Sequence, residues 1–289
     1  MKLYTALSTL YHLCNPTRLR RRLRFAIARR INVPYPDAIP GIDGQMWVRP
    51  GEYFSEYHYI VQRAFEPGVT SFLKTHVKHG MKTFDIGANV GYFTILLARL
   101  VGPTGLVVAF EPAQHSFPHL LDNIRLNDFS NVRAKQVALT DRDGRAVFWE
   151  AITSEKDVYN SLARADIPWA SASCFRPRDI LARGLDSLMA EEGWPLPDLM
   201  KIDVEGAEMK VIDGMRAILS SDRDLTLILE CSRILCSKFG YTVTNLLDKL
   251  KSYGFSCHAL DEEGTITPLN LEGQPSFEGM VVARRIQGI

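Results

Sequence analysis

Acidic residues stand at three places in this 289-residue chain where an apolar run gives way to a turn. The first lies in Thr83-Phe84-Asp85-Ile86-Gly87-Ala88-Asn89-Val90-Gly91, between a strand-like run and a helical pattern that opens at Tyr92. Gly87 and Gly91 have no side chain to keep a ligand from the backbone, and Asn89 tolerates the left-handed region. The first amides of the following helix add donors and a positive dipole end. The second place is Glu111, which ends Val107-Val108-Ala109-Phe110-Glu111-Pro112. A carboxylate there can accept from both hydroxyls of a ribose. Together the turn and the acid suit a bound nucleotide or nucleoside.

A dinucleotide site calls for G-x-G-x-x-G, whereas this turn reads G-x-N-x-G with Asp85 two residues ahead of it. Asp85 would repel a pyrophosphate and attract an ammonium group. That preference points to S-adenosylmethionine, which carries an ammonium and a cationic sulfur. The third place is Lys201-Ile202-Asp203-Val204-Glu205, where alternation puts Lys201, Asp203 and Glu205 on one face. Asp203 or Glu205 at the end of a strand can accept a proton from an acceptor hydroxyl or fix its orientation, since methyl transfer is an in-line displacement that depends on alignment. With Glu230 these acids also offer oxygen ligands to Mg²⁺. Lys201 can neutralise Asp203 without a cation, so no metal is assigned. A buried ion-pair network, with Glu205 and Glu208 complementing the next helix, accounts for the same charges, and both accounts stay open.

These residues need a parallel sheet to hold them. Strand-length apolar runs fall at Lys82–Ile86, Leu106–Phe110, Arg133–Leu139, Leu199–Val204, Leu225–Glu230, Ser256–Leu260 and Met280–Arg284, with helical periodicity over Tyr92–Leu100, His115–Leu126, Ala207–Leu219 and Thr242–Tyr253. Residues 151–184 break the alternation, and an insertion of that length is expected to overhang the site. Residues 32–44, with three prolines and two glycines, read as an irregular link, and Gln45–Arg49 as a short strand. Tyr53, Phe54, Tyr57 and Tyr59 read as core aromatics of a small amino-terminal layer or as a lid.

The ordered set Phe84–Gly91, Ala109–Pro112, Leu121–Asn127, Leu185–Leu188 and Lys201–Glu208 resembles the FkbM family of S-adenosylmethionine-dependent methyltransferases. The likeness covers roughly residues 80 to 285 and leaves the first 50 outside. It implies an α/β, Rossmann-like, seven-stranded and mostly parallel sheet of the class I methyltransferases, with one reversed strand near the carboxyl end. It further implies methylation of a hydroxyl on a glycan or natural product. Carried over residue by residue, Asp85, Gly87, Asn89 and Gly91 hold the methionine part of the cofactor and Glu111 its ribose. Pro112 and Ala138 lie beside adenine. The chain is thus expected to divide into a basic extension over residues 1–50 and a methyltransferase domain over 51–289.

Composition sets the outer limits. With 46% hydrophobic and 23% charged residues the chain is globular, and no apolar run reaches the ~18 residues of a membrane span. Five cysteines without a C-x-x-C pair suggest reduced thiols and a cytoplasmic setting. The formal charge of +1 hides an asymmetry: Arg18, Arg20, Arg21, Arg22, Arg24, Arg29 and Arg30 crowd one amphipathic helix, in which Leu19, Leu23 and Ile27 recur every four residues. Such a helix either packs on the domain with its arginines solvated or docks on an anionic surface, which would make the chain peripheral to a membrane. Histidines are scattered; His58 alone is singled out as a base to test. Two other functions stay in view: a non-catalytic S-adenosylmethionine-binding module, and a nucleic-acid or protein methyltransferase served by the arginines.

Overall fold

A computed structural model describes residues 16–52, 64–153, 159–163, 171–269 and 277–285, with the backbone alone for 16–22. The aromatic run from Tyr53 to Tyr59, with His58, lies outside the described residues.

The amino-terminal part holds helix α1 (Pro16–Ile31), strands β1 (Tyr35–Ile39) and β2 (Gly44–Val48), and helix α2 (Pro67–His76). Then follow β3 (Lys82–Ile86), α3 (Tyr92–Val101), β4 (Leu106–Phe110), α4 (Ser116–Leu126), β5 (Val132–Lys135), β6 (Ala138–Leu139) and β7 (Gly144–Ala151). After these come β8 (Phe175–Arg183), α5 (Leu185–Glu192), β9 (Leu199–Ile202), α6 (Glu208–Asp213), α7 (Arg216–Leu219) and β10 (Leu225–Cys231). The last elements are α8 (Arg233–Lys238), α9 (Val243–Ser252), β11 (Ser256–Leu260), β12 (Ile266–Pro268) and β13 (Gly279–Arg285).

The main sheet runs β12-β11-β13-β10-β9-β3-β4-β5. Strands β10, β9, β3, β4 and β5 are parallel, while β13 runs antiparallel to both β10 and β11. This is the expected α/β, Rossmann-like arrangement with its reversed strand. Among the described residues the three-residue edge strand β12 makes eight strands where seven are expected. Alternation splits the core into two layers. Phe84, Ile86, Val108, Phe110, Met200 and Ile202 face one layer, and Val107, Ala109, Leu199 and Ile228 face the other. Both layers are closed by helices, so the parallel strands are buried on both sides.

Several boundaries move from their expected places. The run Arg133–Leu139 breaks into β5 and β6, which belong to different sheets. The single helix expected over Ala207–Leu219 is interrupted at Gly214, where a Cβ would meet the Thr140 carbonyl oxygen at 2.0 Å. The insertion is partly ordered: β8 pairs antiparallel with β7 and parallel with β6. Periodicity missed β8 because exposed residues interrupt its buried ones.

The link at 32–44 is also more regular than its prolines suggest. Among the described residues strand β1 pairs with β2 alone, so Pro36 deprives no second described neighbour of a donor. The hairpin is held on α4 by Trp47 N donating to Asn123 Oδ1 at 2.8 Å and by the ion pair of Arg49 with Asp122 at 2.8 Å. Helix α1 rests on this hairpin through Ala28 and Phe25 against Tyr35 and Val48, and the Arg24 guanidinium lies 4.2 Å from the centre of the Tyr35 ring. Its apolar stripe does not turn inward: Leu23, Ile27 and Ile31 are 60%, 52% and 60% exposed. Among the described residues no helix is long and apolar enough to cross a membrane.

Candidate active site

The carboxyl ends of β3, β4 and β9 open onto one cleft, the place where open parallel sheets bind ligands. Its wall includes Gly87, Ala88, Asn89 and Val90 from the glycine turn, Glu111 and Pro112 from the end of β4, Ala138 from β6, and Lys201, Asp203, Val204 and Glu205 around the end of β9. Eight of the ten residues singled out from the sequence therefore meet in one place: Gly87, Asn89, Glu111, Pro112, Ala138, Lys201, Asp203 and Glu205.

Two do not reach the wall. A Cβ on Gly91 would stand 2.7 Å from Leu120 Cδ1, so this glycine lets α4 pack against the turn. Asp85 is 1% exposed and sits behind the wall, with Oδ2 accepting from Thr94 Oγ1 at 2.5 Å. Gly87 also has a packing reason, because a Cβ there would lie 1.8 Å from the Asp203 carbonyl oxygen. Its φ of +84° and the +48° of Asn89 form the left-handed turn that the sequence leads one to expect.

Glu111 is fixed by backbone. Its Oε2 accepts from Asn89 N at 2.8 Å and its Oε1 from Ala113 N at 2.7 Å, which locks the carboxylate against the glycine turn. Apolar side chains of Phe110, Val137, Leu139 and Phe148 complete the wall on the side of Pro112 and Ala138. They suit a flat ring.

The opposite end of the cleft is dominated by charge. Lys201 is 2% exposed, lies directly across from Asp85 in the β3–β9 register, and donates to Asp203 Oδ2 at 2.6 Å. Its ammonium is 4.6 Å from the centre of the Phe93 ring. Burial alone would lower the lysine pKa, but Asp203, Glu66 and Asp85 outweigh it and hold the ammonium above its ordinary value. Burial raises the Asp85 pKa, with Lys201 and Thr94 opposing. Burial likewise pushes Glu66 up to about 7 against the pull of Lys201, and Glu66 Oε2 is buried with no hydrogen-bond partner among the described residues. Three carboxyls thus surround one ammonium.

Strand β9 stops at Ile202, two residues before the expected end, because the chain turns sharply there. Glu205 has φ +54° and Gly206 +95°. The Ser161 hydroxyl donates to the Glu205 carbonyl oxygen at 2.9 Å, which ties the insertion to this turn. Oxygens of Asp203, Glu205 and Glu230 lie within 4.8 Å of one another. Burial first and the Asp203 charge second raise both Glu205 and Glu230 well above the usual carboxylate range. Glu208 is not on the wall. It accepts from Val204 N and Gly206 N, both at 3.2 Å, and so braces the turn.

Sequence reasoning missed Glu66, Phe93, Asn160 and Leu162 on the wall. Glu66 precedes Pro67 at the start of α2, and Glu-Pro before a helix is the one local signal that points to it. Asn160 and Leu162 come from the aperiodic insertion and carry none.

Comparison with known proteins finds methyltransferases. The sequence profile of the methyltransferase FkbM domain matches residues 85–257. Methyltransferase sdnD of Sordaria araneosa is 30% identical over 153 residues, which are 45% of this chain and 59% of that protein. The 2-O-methyltransferase NoeI of Sinorhizobium fredii (strain NBRC 101917 / NGR234) is 28% identical over 182 residues, 56% of this chain and 72% of that protein. The chain thus spans less than two thirds of the length of the first of these relatives. Among solved structures, the methyltransferase FkbM from Methylobacillus flagellatus KT superposes with a TM-score of 0.48 at 14% identity, covering 80% of this chain and 52% of that one.

Proposed function

The chain belongs to the methyltransferase FkbM family, and from that premise we propose that it transfers a methyl group from S-adenosylmethionine to a hydroxyl oxygen of a glycan or other small-molecule acceptor. The observation that carries this reading is a single cleft with an amide-fixed carboxylate, Glu111, at one end and a surplus of buried carboxyls around Lys201 at the other. A nucleoside with a cationic amino-acid tail complements both ends.

In this reading Glu111 accepts the ribose hydroxyls, Pro112 and Ala138 border the adenine, and the Gly87–Asn89 backbone runs along the methionine part. Asp85 acts from behind the wall, opposite Lys201, by adding negative potential. The cofactor supplies an electrophilic methyl on a sulfonium. As the acceptor oxygen is methylated, its hydroxyl proton would pass to a carboxylate of this chain. We assign that role to Glu205, whose raised pKa makes it a stronger base than an ordinary carboxylate. Asp203, paired to Lys201, orients the acceptor. The relative NoeI is named as a 2-O-methyltransferase, and this supports oxygen as the acceptor atom.

The carboxyls of Asp203, Glu205 and Glu230 would suit Mg²⁺ by their chemistry, but Lys201 already balances Asp203 and the proposal does not call for a metal. Retention of turnover in EDTA checks this. Residues 1–50 are proposed as an extension to a methyltransferase domain over 51–289. A specific observation, the exposed Leu23-Ile27-Ile31 stripe on an arginine-rich helix, favours an anionic bilayer as the surface that α1 meets, because nucleic acid offers nothing to an apolar stripe. The enzyme would then be peripheral to a membrane. The deciding experiment measures release of S-adenosylhomocysteine with panels of sugars, phenols and RNA. Turnover on hydroxyl acceptors supports the proposal, turnover on RNA alone replaces it, and cofactor binding without turnover on any acceptor identifies a non-catalytic module.

A further inference from the structure

Away from the cleft, two histidines and a glutamate converge on the outer side of α4. His115 caps that helix with helical dihedrals of −82° and −48°, and His119 follows one turn later, so both imidazoles lie on one face. Glu52, at the end of the segment that follows β2, reaches between them. Its Oε1 is 3.5 Å from His119 Nδ1 and 3.7 Å from His115 Nε2, and one ligand atom from each of the three residues lies within 4.8 Å of the others. We propose that Glu52, His115 and His119 form a binding site for a single transition-metal ion, with Zn²⁺ as the best fit.

The spacing carries the argument. Two ligand atoms, each about 2.0–2.1 Å from a tetrahedral ion, stand about 3.3 Å apart. The observed 3.5 and 3.7 Å from Glu52 need an inward shift of only a few tenths of an ångström, and the two imidazoles, whose ring centres are 4.7 Å apart, must turn their nitrogens toward the same point. His119 Nδ1 is buried and has no hydrogen-bond partner among the described residues, so in the Nε2–H tautomer its lone pair faces the site. The Glu52 and His119 side chains are 13% and 16% exposed, while His115 is 42% exposed, which leaves a route for an ion and for a water as fourth ligand. The neighbouring cation, Arg49, is occupied by Asp122 at 2.8 Å, and Glu150 accepts from the His115 amide at 3.2 Å.

Two imidazoles with one carboxylate select Zn²⁺, Ni²⁺ or Cu²⁺ over Mg²⁺ and Ca²⁺, which take oxygen ligands. The site therefore differs in kind from the all-carboxylate group at the cleft. A bound ion would clip the chain at Glu52 to α4, a helix that begins five residues after Glu111. The clip is structural and adds no step to the reaction, so the site stands or fails independently of the proposed activity.

The test uses the full chain stripped with EDTA and dialysed, with Zn²⁺ titrated against a chromophoric chelator. One ion per chain is expected. Glu52→Gln and His119→Ala are each expected to weaken it by at least roughly 10-fold, and Glu230→Gln to leave it unchanged. Co²⁺ in place of Zn²⁺ should give visible absorption of a four-coordinate ion that disappears in His115→Ala/His119→Ala. Absence of stoichiometric binding overturns the proposal, as does unchanged affinity in the double variant or loss of the ion with Glu230→Gln alone. Circular dichroism of each variant separates loss of the ligand from loss of the fold.

Discussion

Asp85 and Lys201 stand opposite one another on adjacent parallel strands, both almost wholly buried, and Lys201 reaches on to bond Asp203 at the mouth of the cleft. An ammonium in this position joins the glycine turn to the second acidic motif. The two stretches are more than a hundred residues apart in the chain, and the β3–β9 register makes them one unit.

Replacing Lys201 by Met keeps most of the side-chain volume and removes the charge, leaving Asp85, Asp203 and Glu66 without their common partner. Removal of one member of a buried ion pair costs about 3–5 kcal/mol. We expect a loss near the lower end, about 3 kcal/mol in urea unfolding at pH 7.5, because the acids can take up protons. Unchanged stability would show that the lysine is not the hub of the cluster.

Glu205 must be ionised to accept a proton, and burial with the nearby Asp203 charge raises its pKa. The rate should therefore climb with pH through a value well above that of a free glutamate. Glu205→Gln is expected to abolish this limb and to lower kcat by about 10²–10⁴-fold, the usual worth of a general base. Cofactor affinity should stay within a few fold. A variant with the parent pH profile would remove Glu205 from the proton path and leave Asp203 in its place.

Glu208 offers a stability test that does not involve turnover. Its pKa is pushed up to about 7 by burial, against the amides of Val204 and Gly206 and with the Asp203 charge adding to the rise. The folded state then binds this proton more tightly than the unfolded chain does. The associated stability is present in full below the ordinary carboxylate pKa and is lost as pH rises through 7. Glu208→Gln carries no such penalty and should be more stable than the parent at pH 8, by about 2 kcal/mol at roughly 1.4 kcal/mol per pKa unit with allowance for the amide bonds. At pH 5 the two should converge. Chemical unfolding at both pH values checks the sign.

Much of this arrangement was legible in the sequence. Short apolar runs ending in Asp85, Glu111 and Lys201–Glu205 marked the strands of the central sheet, because a parallel sheet covered on both faces leaves runs that need no alternation. The site residues were legible where a motif joined a strand to a turn. Asp85 and Gly91 were legible as motif members, but their positions behind the wall depend on Thr94, Lys201 and Leu120, which come from other elements. Glu66 escaped because a carboxyl that enters the site from outside the sheet carries no periodic signal. The metal-ligand set was hidden for the same reason: His115 and His119 are one helical turn apart, but Glu52 joins them only through the docking of the hairpin on α4.

The basic helix makes a prediction about place. Flotation with phosphatidylcholine vesicles should leave the protein in solution, and vesicles with about one third phosphatidylglycerol should carry it up at low salt, less so as salt screens the arginines. Burying one leucine or isoleucine is worth about 1.5–3 kcal/mol, so Leu23→Asp/Ile27→Asp should weaken binding by at least roughly tenfold. Equal binding by the double variant would exclude the apolar stripe as the contact.

The most direct measurement is calorimetric titration of S-adenosylmethionine into the protein and into Glu111→Ala. Single-site binding is expected for the parent. The variant should bind about 10–100-fold more weakly, since a hydrogen bond to a charged group is worth about 1.5–3 kcal/mol. No binding to the parent, or equal binding to both proteins, would contradict the placement of the nucleoside between the glycine turn and Glu111.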